Sequence, residues 1–164
     1  MRGSGAYADR MSDAHGNDLG APRFQRGAFR RVADRAIAAL ARRGLSLGGA
    51  VALTVVGRRS GEPRTLPVTP LQLDGRVHLV APYGVVGWVK DLRAAGEATI
   101  ERGGTPVRVR ATELPPEQAA PVLREYVRRV PLVRPYVAAD PDDGTSAFAA
   151  IAAQHPVFAI ERIG

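Results

Sequence analysis

The sequence has no cysteine, one lysine (Lys90) and few aromatics: one tryptophan, four tyrosines and four phenylalanines in 164 residues. Without cysteine there is neither a disulfide framework nor a thiolate metal site, so the fold must rest on an apolar core, which a chain of this length can supply. His15, His78 and His155 are scattered, with no pair at helical ligand spacing, which argues against a metal centre. Long apolar runs are also missing. The stretch "VALTVVG" falls far short of the roughly 20 residues that a bilayer-spanning helix needs. So few aromatics provide no stacking array for nucleic acid, and no nucleic-acid-binding module is recognisable. The glycine-rich nucleotide signatures, H-E-x-x-H and G-x-S-x-G are absent too.

Positive charge is abundant, almost all of it arginine, at a formal net charge of +7. Such an excess favours an anionic partner. The first 22 residues, small and polar, lack the apolar segment of a signal peptide and read as a disordered tail, with Met11 as a later start. A single domain is expected over 23–164. It begins with a helix over 23–43, in which Phe29, Val32, Ala36 and Leu40 recur at spacings of three and four. Seven arginines against Asp34 make its polar face basic. That face is a solvated surface or, in the sharper reading, a weak peripheral contact with the inner face of a membrane; the location expected is cytoplasmic.

Strand patterns follow at 50–57, 65–73 and 76–81, the last two joined by the hairpin signal Asp74-Gly75. Pro67 and Pro70 mark the second run as an edge, a bulge or a mouth rather than a central strand. A short helix is expected over 86–96, closed by Gly96, then a hairpin around Gly103-Gly104. A helix with Pro121 as a distortion or second start comes next, then a loop over 131–143, a helix near 145–154 and a final strand in "HPVFAIERI". Six strands without strict strand–helix alternation exclude a parallel doubly wound sheet. They predict an α+β fold, an antiparallel six-stranded barrel with flanking helices.

Two stretches carry more than their local structure requires. In "TVVGRRSGEPRTLPV", Gly57 and Gly61 permit close backbone approach, while Arg58, Arg59, Ser60 and Arg64 place donors and charge in a short arc. Arginine forks match phosphate and carboxylate. The arc is either an anion cradle or a solvated hairpin turn. In "APYGVVGWVKDL", Ala81, Pro82, Tyr83 and Gly84 leave a strand, and Trp88 opens a helix. These parts suit a flat heterocycle, or else Trp88 simply anchors the helix to the core.

Taken in order, Thr54 to Pro67, Asp74-Gly75, Ala81 to Gly84 and Trp88 to Ala94 resemble the deazaflavin-dependent nitroreductase family, related to the flavin-binding split β-barrel proteins. Its members carry T-x-x-G-R-[KR]-[ST]-G-x-x-R-x-x-P, a D-G hairpin, a glycine-rich strand exit and W-x-x-N-L-x-A. The likeness spans about residues 45–113. It implies a split barrel that binds coenzyme F420, a deazaflavin with a phosphate and an oligoglutamate tail. Arg58, Arg59, Ser60 and Arg64 would hold phosphate and tail, the segment with Pro67 and Val68 and the loop Pro82, Tyr83, Gly84 would border the ring system, and Gly57, Gly61, Ala81, Trp88 and Asp91 complete the cofactor-binding set. FMN is the alternative cofactor, because the fold accommodates both. Two departures stand out. The family's loop lysine is absent, and Asp91 replaces its asparagine, so it repels an anionic cofactor or pairs with Arg93 or another arginine.

The resemblance implies an F420H2-dependent oxidoreductase passing a hydride to an electron-poor small molecule such as a quinone, nitro or enone compound. A non-catalytic flavin or deazaflavin carrier is the competing expectation. Tyr83, Tyr126 and Tyr136 are the candidate catalytic groups, as proton donors or acceptor-positioning phenols, although a tyrosine in a helix pattern such as Tyr126 commonly belongs to the core. His155 reads as structural. A homodimer is suggested by analogy alone.

Overall fold

A computed structural model describes Arg35 and residues 49–164. The expected tail (1–22) and, Arg35 apart, the basic helix (23–43) lie outside the described residues, and so does the membrane contact suggested for that helix.

Seven strands form one antiparallel sheet: β1 (Val51–Val56), β2 (Pro63–Val68), β3 (Leu71–Leu73), β4 (Arg76–Val80), β5 (Glu97–Arg102), β6 (Thr105–Glu113) and β7 (Val157–Arg162). The order across the sheet is β2-β1-β5-β6-β7-β4-β3. The six-strand expectation is corrected to seven because the run 65–73 is two strands. β2 pairs with β1 and β3 with β4, and the break falls at Thr69-Pro70, where the proline has no N–H for a ladder.

This break shapes the fold. β2 and β3 lie at opposite edges of the sheet, yet only Thr69 and Pro70 connect them. Laid flat, six inter-strand gaps would separate the edges by roughly 29 Å, whereas Val68 and Leu71 can be at most about 11 Å apart. The sheet must therefore curl until its edges approach, which makes it a split barrel. Two hairpins set its register as the sequence predicts. Asp74 and Gly75 both have positive φ (50° and 75°), as do Gly103 and Gly104 (58° and 84°), the conformation that two-residue hairpin loops require.

Helix α1 (Gly87–Ala95) turns its apolar side, Val89 and Leu92, into the barrel interior against Leu53, Val55, Leu79 and Phe158. It ends at Gly96, whose left-handed conformation lets its N–H bond the Leu92 carbonyl. Helix α2 (Pro116–Arg129), a 3-10 turn (Pro131–Tyr136) and α3 (Thr145–Ile151) pack outside the sheet around Leu123, Val127 and Phe148. Strands β4 and β7 therefore bury both faces: Leu79 and Phe158 point inward, Val80 and Val157 outward beneath α2 and α3. Pro121 does not restart α2. It sits inside one continuous helix, with Pro116 at the first position, where its missing N–H costs nothing.

Candidate functional site

The site is built at the end of the barrel where β1 finishes and β4 leaves. β1 and β2 are joined by residues 57–62, a turn closed by Gly57 N–H to Glu62 O (2.9 Å) and Gly61 N–H to Gly57 O (2.8 Å). Gly61 occupies positive φ (69°). At Gly57 the constraint is space: a Cβ there would lie 2.7 Å from Ser60 Oγ and 3.1 Å from Arg64 Nε. Ser60 and Arg64 thus converge over a bare backbone. The Ser60 hydroxyl accepts from the Glu62 N–H at 3.3 Å, and Thr54 and Thr65 hydroxyls bond across the base of the turn at 2.6 Å.

Asp91 fixes this turn from α1. Its Oδ1 accepts both the Arg58 backbone N–H (3.1 Å) and Arg58 Nη1 (2.8 Å), and Arg64 Nη1 stands 4.0 Å from Oδ2. The carboxylate is buried, and Oδ2 has no hydrogen-bond partner. The Arg58 backbone bond holds the Asp91 carboxyl below its usual range. Burial opposes it, while the Arg58 side-chain bond and the charges of Arg58 and Arg64 reinforce it. Of the arginines considered as partners, Arg58 is the one that takes Asp91; Arg93 instead grips Glu113 through two 2.7 Å bonds. Arg58 is consequently committed to the scaffold. Arg59, and Arg64 with its side chain 60 % exposed against 31 % for Arg58, are the guanidiniums left to face solvent on the turn.

The second stretch borders the same end. Gly84 closes a turn onto the Ala81 carbonyl (3.2 Å) and takes positive φ (90°). Ala81 and Pro82 are buried, whereas Tyr83 is 55 % exposed, its ring meeting Tyr136 edge-on at 4.9 Å and 77°. Tyr126 lies behind them in the outer core. Burial, with a smaller contribution from Tyr83, pushes its phenol up to about 12. Three elements therefore bring the three tyrosines together: the β4 exit, α2 and the 3-10 turn. Trp88 is half-buried and tilts against Phe158 in the barrel core (6.1 Å, 50°), so it does anchor its helix.

Pro67 and Val68 are not gathered with the arginine turn. They end β2, three and four residues beyond Arg64 and so about 10 and 13 Å along the strand, where Val68 pairs with Val51. His155, buried at the start of the last strand segment, bonds the Ala152 carbonyl through its backbone N–H (3.1 Å). The sequence offers an arginine partner for Asp91 but does not show that the partner is Arg58 or that its backbone N–H joins the clamp. The signal was present as an acid beside Leu92 and two residues after Val89 on the apolar side of a helix, a position that a carboxylate occupies only when paired.

Residues 28–139 match the F420H(2)-dependent quinone reductase family. The chain belongs to that family and is an F420H2-dependent oxidoreductase with coenzyme F420 as its cofactor. Among solved structures it is similar to an F420-H2 dependent reductase, FDR-A, at 22% identity and TM-score 0.50, over 68% of this chain and 93% of that one. It is also similar to a protein described as a domain-swapped dimer (21% identity, TM-score 0.51, 76% and 96% covered). A third is Atu2129 of Agrobacterium tumefaciens, of unknown function (16%, TM-score 0.50, 70% and 48% covered). At these identities the likeness concerns the fold. No curated protein matches the chain.

The residues present fit the cofactor's anionic portion. A cradle that a single Cβ would fill, two exposed guanidiniums and a serine hydroxyl form a rigid, donor-rich turn.

Proposed function

We propose that the chain transfers a hydride from reduced F420 to an electron-poor planar acceptor of the quinone, nitro or enone class. Arg59, Ser60 and Arg64 hold the phosphate and tail, and the exposed Tyr83–Tyr136 pair orients the acceptor. The observation that carries this reading is the Gly57–Arg64 turn, whose backbone is pinned by Asp91 so that Arg59 and Arg64 face outward without reorganisation. Preorganised forks of this kind bind phosphate and carboxylate with charge-assisted bonds.

When bound, the deazaflavin supplies the hydride chemistry. The chain's own residues bind and orient. Gly57 and Gly61 let the backbone approach the anion, and Arg58 neutralises Asp91, so that the aspartate no longer repels it. Tyr83 offers a hydroxyl at the acceptor's edge, with Tyr136 fixing the ring and Tyr126 backing the pair. Pro67 and Val68, about 10–13 Å beyond Arg64 along β2, suit an elongated cofactor lying along that edge strand. A homodimer of split barrels is part of this reading. It is supported by the architecture shared with the domain-swapped dimer.

The test is a fluorescence titration with F420 and, separately, FMN, using wild type and an Arg59→Ala, Arg64→Ala variant, followed by acceptor-dependent oxidation of F420H2. Binding of F420 that weakens in the variant, with turnover of a quinone or nitro acceptor, is expected. Preference for FMN, or F420 binding without turnover of any acceptor, would replace the proposal with an FMN-dependent oxidoreductase or a carrier.

A further inference from the structure

Among the described residues, α1 plugs one of the barrel's two ends. At the opposite end, where β1 begins and the β5–β6 hairpin turns, a cavity of about 300 Å³ opens between the sheet edges. Its walls are Val51, Val77, Ile100, Val107, Val109 and Ile160. These are the inward residues of five strands, continuing the core formed by Leu53, Leu79 and Phe158. Among the described residues the core thus runs out into an apolar mouth, where Val77 is 36 % exposed.

The rim is cationic. Along β5 the inward positions run Ala98, Ile100, Arg102, and along β7 they run Phe158, Ile160, Arg162. On both strands the next side chain after the last apolar one is an arginine at the cavity. Among the described residues, no carboxylate lines the cavity. Arg93 and Arg108 pair with Glu113 and Glu97, whereas Arg102 and Arg162 have no carboxylate partner among the described residues. Thr105 and Gln72 add hydroxyl and amide groups at the same mouth.

We propose that this mouth is a binding site for a small amphiphilic carboxylate: an aliphatic or ring body inside the barrel and an anionic head between Arg102 and Arg162. The volume sets the size. At roughly 30 Å³ per water-sized group, 300 Å³ holds about ten such groups, which is the scale of a medium-chain fatty acid. Apolar walls with a few convergent polar groups are the general character of small-molecule sites, and arginine is suited to a carboxylate head. The site is separate from the Gly57–Arg64 turn, which lies at the other end of β1.

The experiment is titration of the full chain with octanoate, followed by amide chemical shifts in two-dimensional NMR. Octyltrimethylammonium, with the same chain and the opposite charge, serves as control. Saturable shifts at Thr105, Val107 and Ile160 are expected, with the Gly57–Arg64 amides unmoved. The cationic probe should bind at least about tenfold more weakly, the factor set by about 1.4 kcal/mol. Arg102→Ala with Arg162→Ala should weaken octanoate about tenfold, the lower range for a charge-assisted bond. Val107→Trp, which fills the mouth, should abolish the shifts. Should the tryptophan variant fail to fold, the arginine variant, altered only at exposed side chains, still decides. Equal binding of the two probes, shifts centred on the arginine turn, or no saturation at millimolar octanoate would each overturn the proposal.

Discussion

The Asp91 carboxylate holds two groups of one residue on a single oxygen: Oδ1 receives Arg58 N–H at 3.1 Å and Arg58 Nη1 at 2.8 Å. A helix inside the barrel thereby sets the backbone of a turn outside it. Asp91→Ala removes both bonds and leaves the Arg58 charge unpaired. F420 affinity is expected to fall at least about tenfold, roughly one charge-assisted hydrogen bond. Asp91→Asn, which restores the family's residue and keeps an acceptor for the N–H, should retain most of it. A fluorescence titration of the three proteins checks the order. An unaltered affinity in Asp91→Ala would mean that the turn needs no clamp.

The same pair gives a pH dependence. The folded-state carboxyl of Asp91 titrates below its ordinary 3.8, chiefly through the Arg58 backbone bond. Its ionised form therefore contributes stability that is fully present above the unfolded value and is lost as pH falls through the folded one. The melting-temperature difference between wild type and Asp91→Asn should be constant from neutral pH down to about 5 and should shrink below about 4. A difference that changes between pH 6 and 8 would point to another group.

Gly57→Ala separates binding from folding. The added Cβ meets Ser60 Oγ at 2.7 Å and Arg64 Nε at 3.1 Å, both parts of exposed side chains that can swing away, and the Glu62 backbone carbonyl at 3.3 Å, which must give by a few tenths of an ångström. The stability cost should thus stay at about 1–2 kcal/mol. The displaced groups are the proposed anion ligands, so F420 binding should weaken about tenfold or more. Denaturant unfolding beside the titration distinguishes this from general destabilisation.

For the tyrosines the structure orders the effects. Tyr83 and Tyr136 meet edge-to-face and are exposed, so a double-mutant cycle with Tyr83→Ala and Tyr136→Ala should return a coupling of about 0.5–1.5 kcal/mol. Tyr83→Phe should lower kcat/KM for a quinone acceptor, while Tyr126→Phe leaves it nearly unchanged. The Tyr126 phenol, pushed up to about 12 by burial, also contributes no step to the pH–rate profile below pH 10. A larger loss in Tyr126→Phe than in Tyr83→Phe would reverse the assignment.

Local chemistry explains which features were legible in the sequence. The Asp74-Gly75 and Gly103-Gly104 hairpins, the Gly96 stop and the edge position of Pro67 each follow from one residue's backbone preference, and all appear as expected. The division of 65–73 was not legible. Both halves are apolar and β-forming, and only the partners chosen across the sheet, β1 for one and β4 for the other, separate them. Likewise the arginine turn showed its donors, but its organisation depends on a bond between residues 33 positions apart. The inward Arg102 and Arg162 read as polar strand ends until the curl of the sheet places them at one mouth.

Pro121 tests how much strain the outer layer carries. It lies inside α2, at an exposed position beyond the first turn, so the helix lacks the bond that its N–H would give to the Glu117 carbonyl. The helix persists because its other side buries Ala120, Val122, Leu123 and Val127 against β4, β7 and α3. Packing therefore outweighs a penalty of about 3 kcal/mol for proline in a helix interior. Pro121→Ala should recover between about 1 and 3 kcal/mol in urea unfolding, part of the gain being offset by the greater freedom of the unfolded chain. Phe148→Ala, by contrast, empties the contact between α3 and α2 and should cost about 3–5 kcal/mol. A Pro121→Ala protein no more stable than wild type would mean that the ring makes a favourable contact, or that the helix is already bent to accommodate it.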